Sequence, residues 1–533
     1  MSAALWERLA ELSPQIEAIL ETSGSPGLSL GVLHQGGIVH TAHFGRRDID
    51  TDEAPNDDTV YHVASLTKAI TASTVASLVD SGTLDWDLPV RHYVPEFGQR
   101  DDELGRHGTL KDLLSNRTGL ALSNALWGQK EGEFLLPRSE IIPTICQMGT
   151  MKPLRDSFVY SQWNYALVTE IVEKVTGKSF GRCVKDRILD PLGMDRTTFN
   201  PEEGDNVALP YALLDNATPH RIALTNLSDE TGLAGTVAAR SSIRNLLSFY
   251  RALLAAYSQG DCESTKLNPL KQARAIFTPH IAIGGSDIEN KAYCLGLYRT
   301  KLPNNIGYSS MNNILIGPKK MPVAQSTSPG LQVYHHTGNV PGFVASAFLV
   351  PSSQSAIVVL TNALPLMDPT DFVGQLVLSR LLGQKPPSNL LELSKLGRSA
   401  SILSYGALNK QLQKHKTTKL PTFPLDTYEG HYFNVAGNFK LVIRRQSQSL
   451  IMNVQDLPLT KYELLPYDGD TFYWPANRDV EVKQCMWPLP FAGYHKIQFA
   501  GMTSGSIDRL IWQHDPFAKP EVFKKKASQA SKL

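Results

Sequence analysis

YHVASLTKAI, residues 61–70, places Ser65 three residues before Lys68 in a run that reads as the start of a helix. On a helix, positions i and i+3 lie about 60° apart and face the same way, so hydroxyl and amine can touch. A serine hydroxyl is a poor nucleophile near neutral pH and needs an adjacent base. A lysine becomes that base when burial or a nearby cation lowers its pKa. The helix N-terminus also directs backbone N–H groups toward charge developing at the serine. Alone the spacing is weak, because two polar residues on a helix edge give the same pattern.

Working outward, Leu66, Ile70, Val75, Leu78 and Val79 suit one helix face, and Gly82 suits the position after its end. Upstream, GLSLGVLHQGGIVHTAHFG (27–45) alternates and breaks at Gly36-Gly37, which predicts a β-hairpin. Downstream, residues 110–120 read as a short helix and turn. Residues 164–177 read as a helix with Leu167, Ile171, Val172 and Val175 inward, ended by Gly177. A further helix is predicted over 241–257, a strand near 293–300, and an irregular stretch to about Gln332. Two strands flank PSSQS (351–355), and a helix follows near 370–382. A helical block over about 65–255 thus lies between strands drawn from both ends of the first domain. The fold class expected is mixed α/β (α+β): an antiparallel sheet flanked by helices, with an inserted helical subdomain.

Past this domain (1–390), residues 391–424 are polar and basic and close with prolines, so they read as a linker. Residues 425–515 alternate in short strands separated by Gly, Asn and Asp, which predicts a small antiparallel β-domain, a barrel or sandwich. Residues 516–533 form a tail ending Ser531-Lys532-Leu533, the peroxisomal import tripeptide. The expected location is the peroxisome, through the import receptor, and otherwise the cytoplasm.

Composition narrows the classes. With 52 basic and 51 acidic residues the formal net charge is +1, so no general polyanion surface and no nucleic-acid partner is expected. Five scattered cysteines without a CxxC pair argue against a disulfide framework or a structural zinc site. No metal or organic cofactor is expected. The longest apolar region, Val340 to Leu366, is broken by PSSQS and reads as two buried strands, not a membrane span.

What raises Ser65 and Lys68 above a helix edge is their company. FVYSQWNYALVTEIVEKVTG presents Tyr160 ahead of a helix, and VYHHTGNVPGF presents His336-Thr337-Gly338 on an apolar strand before a turn. Together they resemble the serine β-lactamase and penicillin-binding-protein family, most closely its class C-like branch of esterases, D-aminopeptidases and acyltransferases. SPGLSLGVL, LLSNRTGL, GLAGTVAARSSIRNLLSFYRALL and AIVVLTNALP add to the resemblance, which covers roughly residues 10–385. The C-terminal β-domain resembles the lipocalin-like domain that follows some members.

By this resemblance Ser65 attacks a carbonyl and is acylated, while Lys68 and Tyr160 form the base system. The tyrosine accepts the serine proton, as phenolate or through the lysine, and later helps activate the incoming nucleophile. His336 supplies part of the field that favours a phenolate, or bonds substrate. The Ser65 and Asn339 backbone amides make the oxyanion hole, where losing one donor typically costs about 3–4 kcal/mol. Gly338 lets the strand approach the substrate, and Thr337 belongs to the same binding strand. Two positions depart from the family pattern. Gln162 stands where asparagine is usual in motif two, with Asn164 as a possible substitute, and histidine replaces the usual lysine in motif three. A neutral imidazole offers less charge toward a carboxylate, which disfavours penicillin-like substrates.

The expected function is therefore hydrolysis or acyl transfer through an acyl-Ser65 intermediate, on an ester, thioester or amide. Acyl-CoA is a candidate donor, and fungal secondary metabolism a candidate setting. Residues 301–332 are a candidate lid or pocket wall. The alternative is a catalytically degraded binding protein. GLSLG (27–31) also fits the GxSxG nucleophile elbow, but that elbow needs a strand before its serine and a helix after it. Here a helix precedes and a hairpin follows, so Ser29 is rejected.

Overall fold

The structure is a computed structural model that describes residues 2–128, 130–201, 204–259, 268–503 and 506–526. The import tripeptide and Cys262 lie outside the described residues. The predicted hairpin forms, as β1 (Gly27–His34) and β2 (Gly37–Gly45). The sheet continues through the later segments Ile281–Ala282 (β3), Lys291–Tyr293 (β4), Tyr298–Lys301 (β5), Gln332–Val340 (β6), Phe343–Val350 (β7) and Ser355–Thr361 (β8). Their order is β2-β1-β8-β7-β6-β5-β4-β3, antiparallel throughout. Segments from the two ends of the first domain meet where Leu28 pairs with Thr361.

Successive side chains in a strand point to opposite faces. Leu30, Val32, Phe348, Ile357 and Val359 pack on one side with Ile16, Leu20, Phe372 and Leu376 from terminal helices. Ala345, Ala347, Leu349, Val358 and Leu360 join Ile243, Leu247 and the helical block on the other. A sheet covered on both faces needs continuous apolar strands, which is why 343–350 and 355–361 show no polar alternation. The helical block includes α1 (Thr67–Asp80), α2 (Gln162–Thr176) and α3 (Ile243–Gln259); α4 (Pro369–Leu381) follows the sheet.

The expected linker is different. Residues 390–414 form a helix, α5 (Leu390–Lys414), with Leu390, Leu393, Gly397, Ser401, Tyr405, Leu408 and Leu412 buried. The stripe has helical spacing, but Gly and Ser occupy its middle, so its hydrophobic period is faint. It packs on helices Ser13–Ser23 and Met311–Ile316. The second of these lies inside the stretch read as irregular. Only residues past Lys414 are linker-like.

The β-domain is a closed barrel that runs on to Glu521–Lys525, beyond the expected limit at 515, and Tyr432 pairs with Lys525 to close it. Its inward residues include Tyr432, Phe472, Phe499 and Trp512, all buried. Between two barrel strands the chain makes a short helix, α6 (Arg478–Lys483), that docks on the first domain. There Val482 and Cys485 pack with Ala212, Ile222 and Leu364. Arg478 donates to the Leu213 carbonyl at 2.7 Å and Asp215 at 3.1 Å.

Candidate active site

Ser65 lies in the single 3-10 turn Ala64–Leu66 that leads into α1, and the turn is strained: Ala64 adopts φ 48°, a left-handed conformation that costs a non-glycine residue about 1–3 kcal/mol. Lys68, the second residue of α1, is fully buried, and its Nζ lies 3.1 Å from Ser65 Oγ. It donates to Gln162 Oε1 at 2.9 Å and to the Thr236 carbonyl at 3.0 Å. No carboxylate is among these partners. Burial drives the Lys68 pKa well below the ordinary lysine value. A neutral amine has two donors and one lone pair; with the donors on Gln162 and Thr236, the lone pair is left for the Ser65 hydroxyl.

Tyr160 O–H donates to the same Ser65 Oγ at 3.0 Å, and its ring centroid is 4.9 Å from Lys68 Nζ. The phenol is packed among Phe158, Tyr293 and Tyr298. Burial pushes its pKa up, so it rests as a neutral donor. His336 does not counter this. Burial, then the neighbouring Lys68, lower its pKa to about 3. It is neutral: Nδ1–H donates to the Thr337 carbonyl at 2.7 Å, and Nε2 accepts from Tyr293 O–H at 3.1 Å. His336 therefore supplies no cationic field that would favour a resting phenolate, and the group with a free lone pair toward the Ser65 hydroxyl is Lys68.

Gln162 fills the place of the usual asparagine, since its extra methylene still brings Oε1 to the lysine. Asn164 does not substitute for it. It is fully buried, donating to Asn116 at 2.8 Å and accepting from Thr118 at 2.7 Å. Asn116 also accepts from the Ser161 amide at 3.2 Å, so this knot fixes the segment carrying Tyr160 and Gln162. Asn116, Thr118 and Thr236 are supports that motif spacing does not single out; LLSNRTGL (113–120) holds the first two, and GLAGTVAAR the third.

Strand β6 runs against the serine turn. A Cβ at Gly338 would lie 2.6 Å from the Val63 carbonyl oxygen, 3.0 Å from Ser65 N and 3.1 Å from Ala64 Cβ. Only glycine brings the Gly338–Asn339 backbone this close to the Ser65 amide. Thr337 faces elsewhere: its hydroxyl donates to the Ser309 carbonyl at 2.9 Å, so it anchors β6 rather than touching a reacting atom. His335, on the opposite face from His336, lies 3.0 Å from Thr300 Oγ1.

A cavity of ≈ 270 Å³ opens beside Gln162 and Asn339. No residue of 301–332 lines it, so the expected lid is not the wall here; part of that wall comes from the barrel domain, at Cys485–Trp487, Leu489 and Tyr494.

Ser29 carries an unexpected set of contacts. It lies 2.9 Å from His43 Nδ1 and 2.9 Å from Tyr61 O–H, while His43 Nε2 is 2.8 Å from Asp57. These are the residue types of a hydrolytic triad, but Ser29 is a mid-strand residue with no exposed surface. No carbonyl can reach it, and the contacts tie the hairpin to the Tyr61 strand. Ser29→Ala is expected to keep acylation while losing about 1–3 kcal/mol of stability from unpaired polar groups. Intact-mass labelling and thermal unfolding check the two halves.

Among the described residues no cluster of His, Cys, Asp and Glu could hold a metal ion, and no helix is long and apolar enough to cross a membrane.

Comparison with known proteins agrees with this geometry. A beta-lactamase profile matches residues 12–380, and a domain of unknown function, DUF3471, matches 414–528. The unguisins hydrolase ungD' of Aspergillus campestris is 24% identical over 451 residues, 80% of this chain and 76% of that protein. The D-alanyl-D-alanine-carboxypeptidase/endopeptidase AmpH of Escherichia coli is 24% identical over 68% of this chain and 87% of its own length. The octameric penicillin-binding protein homologue from Pyrococcus abyssi shares the fold, with TM-score 0.57 and 18% identity over 97% of this chain and 99% of that one. With its first domain matched almost from end to end, the chain belongs to the beta-lactamase family of serine hydrolases.

Proposed function

We propose that the protein is a serine hydrolase or acyltransferase that works through an acyl-Ser65 intermediate on an ester, thioester or amide. The observation that carries this is the convergence of Lys68 Nζ and Tyr160 O–H on one oxygen, Ser65 Oγ, at 3.1 and 3.0 Å. As Oγ bonds to the carbonyl carbon, its proton passes to the Lys68 lone pair. The oxyanion forms at the Ser65 and Asn339 backbone amides. Tyr160 then protonates the departing group, and the phenolate left behind faces the new Lys68 ammonium, so charge stays balanced inside a dry site. Water, an alcohol or an amine entering on the Tyr160 side reverses the sequence. Gln162 supports the active reading over a degraded binding protein, because it holds the lysine instead of leaving it unpartnered.

A neutral His336 gives a substrate carboxylate no cationic partner, which favours donors without one next to the scissile bond. The Aspergillus relative supports a hydrolase of fungal secondary metabolism. As part of the same proposal, Ser531-Lys532-Leu533 supports a peroxisomal setting with acyl-CoA thioesters as donors. The test is intact mass after exposure to activated esters and acyl-CoAs. A mass gain equal to the acyl group is expected in the wild type and not in Ser65→Ala; a gain that survives in Ser65→Ala overturns the assignment.

A further inference from the structure

The cavity that Gln162 and Asn339 border has a direction relative to Ser65. A carbonyl attacked by Ser65 has three substituents to place. Its oxygen goes to the Ser65 and Asn339 amides, and its leaving group goes beside Tyr160, the proton donor. The third, the acyl side chain, must leave on the remaining side. The cavity is lined at its near end by Gln162 and Asn339, and neither Tyr160 nor His336 lines it. It therefore opens on the acyl side.

Its wall is predominantly apolar, and it is shared between domains. Trp127, Phe134 and Leu233 come from the helical block; Met486, Trp487 and Leu489 come from the barrel domain, over 300 positions beyond Gln162. The barrel segment is held from both sides. Cys485 Sγ donates to the Ala223 carbonyl at 3.2 Å, and the Gln484 carbonyl accepts from the Glu131 amide at 2.7 Å. On the other side the Leu489 amide donates to Tyr405 Oη at 3.0 Å, and Tyr405 in turn bonds Glu481. Tyr405 sits on α5, which thus braces the wall. A wall fixed at both edges excludes chains too long for the cavity.

We infer that the cavity of ≈ 270 Å³ bounded by Gln162, Asn339, Trp487 and Leu489 is the acyl-side-chain pocket, that it takes apolar acyl groups larger than acetyl, and that the C-terminal barrel sets their size. This rests on the acyl-Ser65 reading above. It gives the barrel a role in specificity: the barrel's own interior is filled by aromatic residues, while its outer segment completes the active site.

The test uses the full chain and p-nitrophenyl esters from acetate to dodecanoate. Wild type should turn over a mid-length ester at least about tenfold better than acetate in kcat/KM, since each buried methylene is worth about 10-fold or more. Trp487→Ala and Leu489→Ala should move the optimum to longer chains, and Leu489→Phe should move it to shorter ones. Thermal unfolding confirms that each variant is folded. Opposite shifts on emptying and filling are not produced by a merely structural wall. If wild type shows Ser65-dependent turnover but all three variants keep its chain-length profile, the pocket assignment is overturned and the acyl-Ser65 reading stands. If no ester or acyl-CoA acylates Ser65, both fall together.

Discussion

Ser65→Ala, Lys68→Met and the double variant are expected to lose acyl transfer to the same extent, by about 10³–10⁶-fold. Residues that act as one unit are not additive. Without the hydroxyl the amine has nothing to deprotonate, and without the amine the hydroxyl stays protonated among buried phenols. Single-turnover release of p-nitrophenol from the three variants checks this. A double variant about as impaired as the product of the singles would mean that Lys68 acts elsewhere. The pH dependence follows from the direction of the Lys68 shift. The amine must be neutral to accept a proton, so kcat/KM falls as pH drops through the lowered Lys68 pKa and is constant above it, well short of the usual lysine range. Stability carries the same signature. At intermediate pH the unfolded chain holds a proton on Lys68 that the folded chain lacks, so folding gains stability as pH rises toward the unfolded value. Lys68→Met removes that slope. Unfolding curves for wild type and variant at several pH values, compared as differences, read it directly.

Gly338→Ala is the second large effect. Its Cβ would meet the Val63 carbonyl at 2.6 Å, and two of its three closest neighbours are backbone atoms. Backbone cannot rotate away as a side chain can, so β6 must retreat from the serine turn. The Asn339 amide retreats with it, and the oxyanion loses one of its two donors. The expected loss is about 10²–10³-fold in kcat. Every acyl length should suffer alike, because all substrates form the same oxyanion; variants of the barrel wall change the length profile instead. A length-dependent loss in Gly338→Ala would show that the glycine serves the pocket rather than the oxyanion. Lys68 and Tyr160 remain in place in this variant, so the acid limb of the pH profile should not move.

The sequence by itself determined the parts whose signals are local. The hairpin at 27–45 follows from alternation and a Gly-Gly break, and α2 from a 3.6-residue period ending in glycine. Ser65 with Lys68 follows from i,i+3 geometry, and Tyr160 and His336 from the order of motifs along the chain. Tertiary structure decided what depends on neighbours distant in sequence. Lys68 loses its proton readily because burial among Gln162 and Thr236 brings it no carboxylate, and His336 is neutral because burial, then Lys68, lower its pKa. The helix at 390–414 hid because glycine and serine serve as its contact surface where other helices come close. The barrel's share of the pocket wall had no signal at all: a side chain's period along the chain records which face it occupies, and only the folded chain specifies what stands opposite.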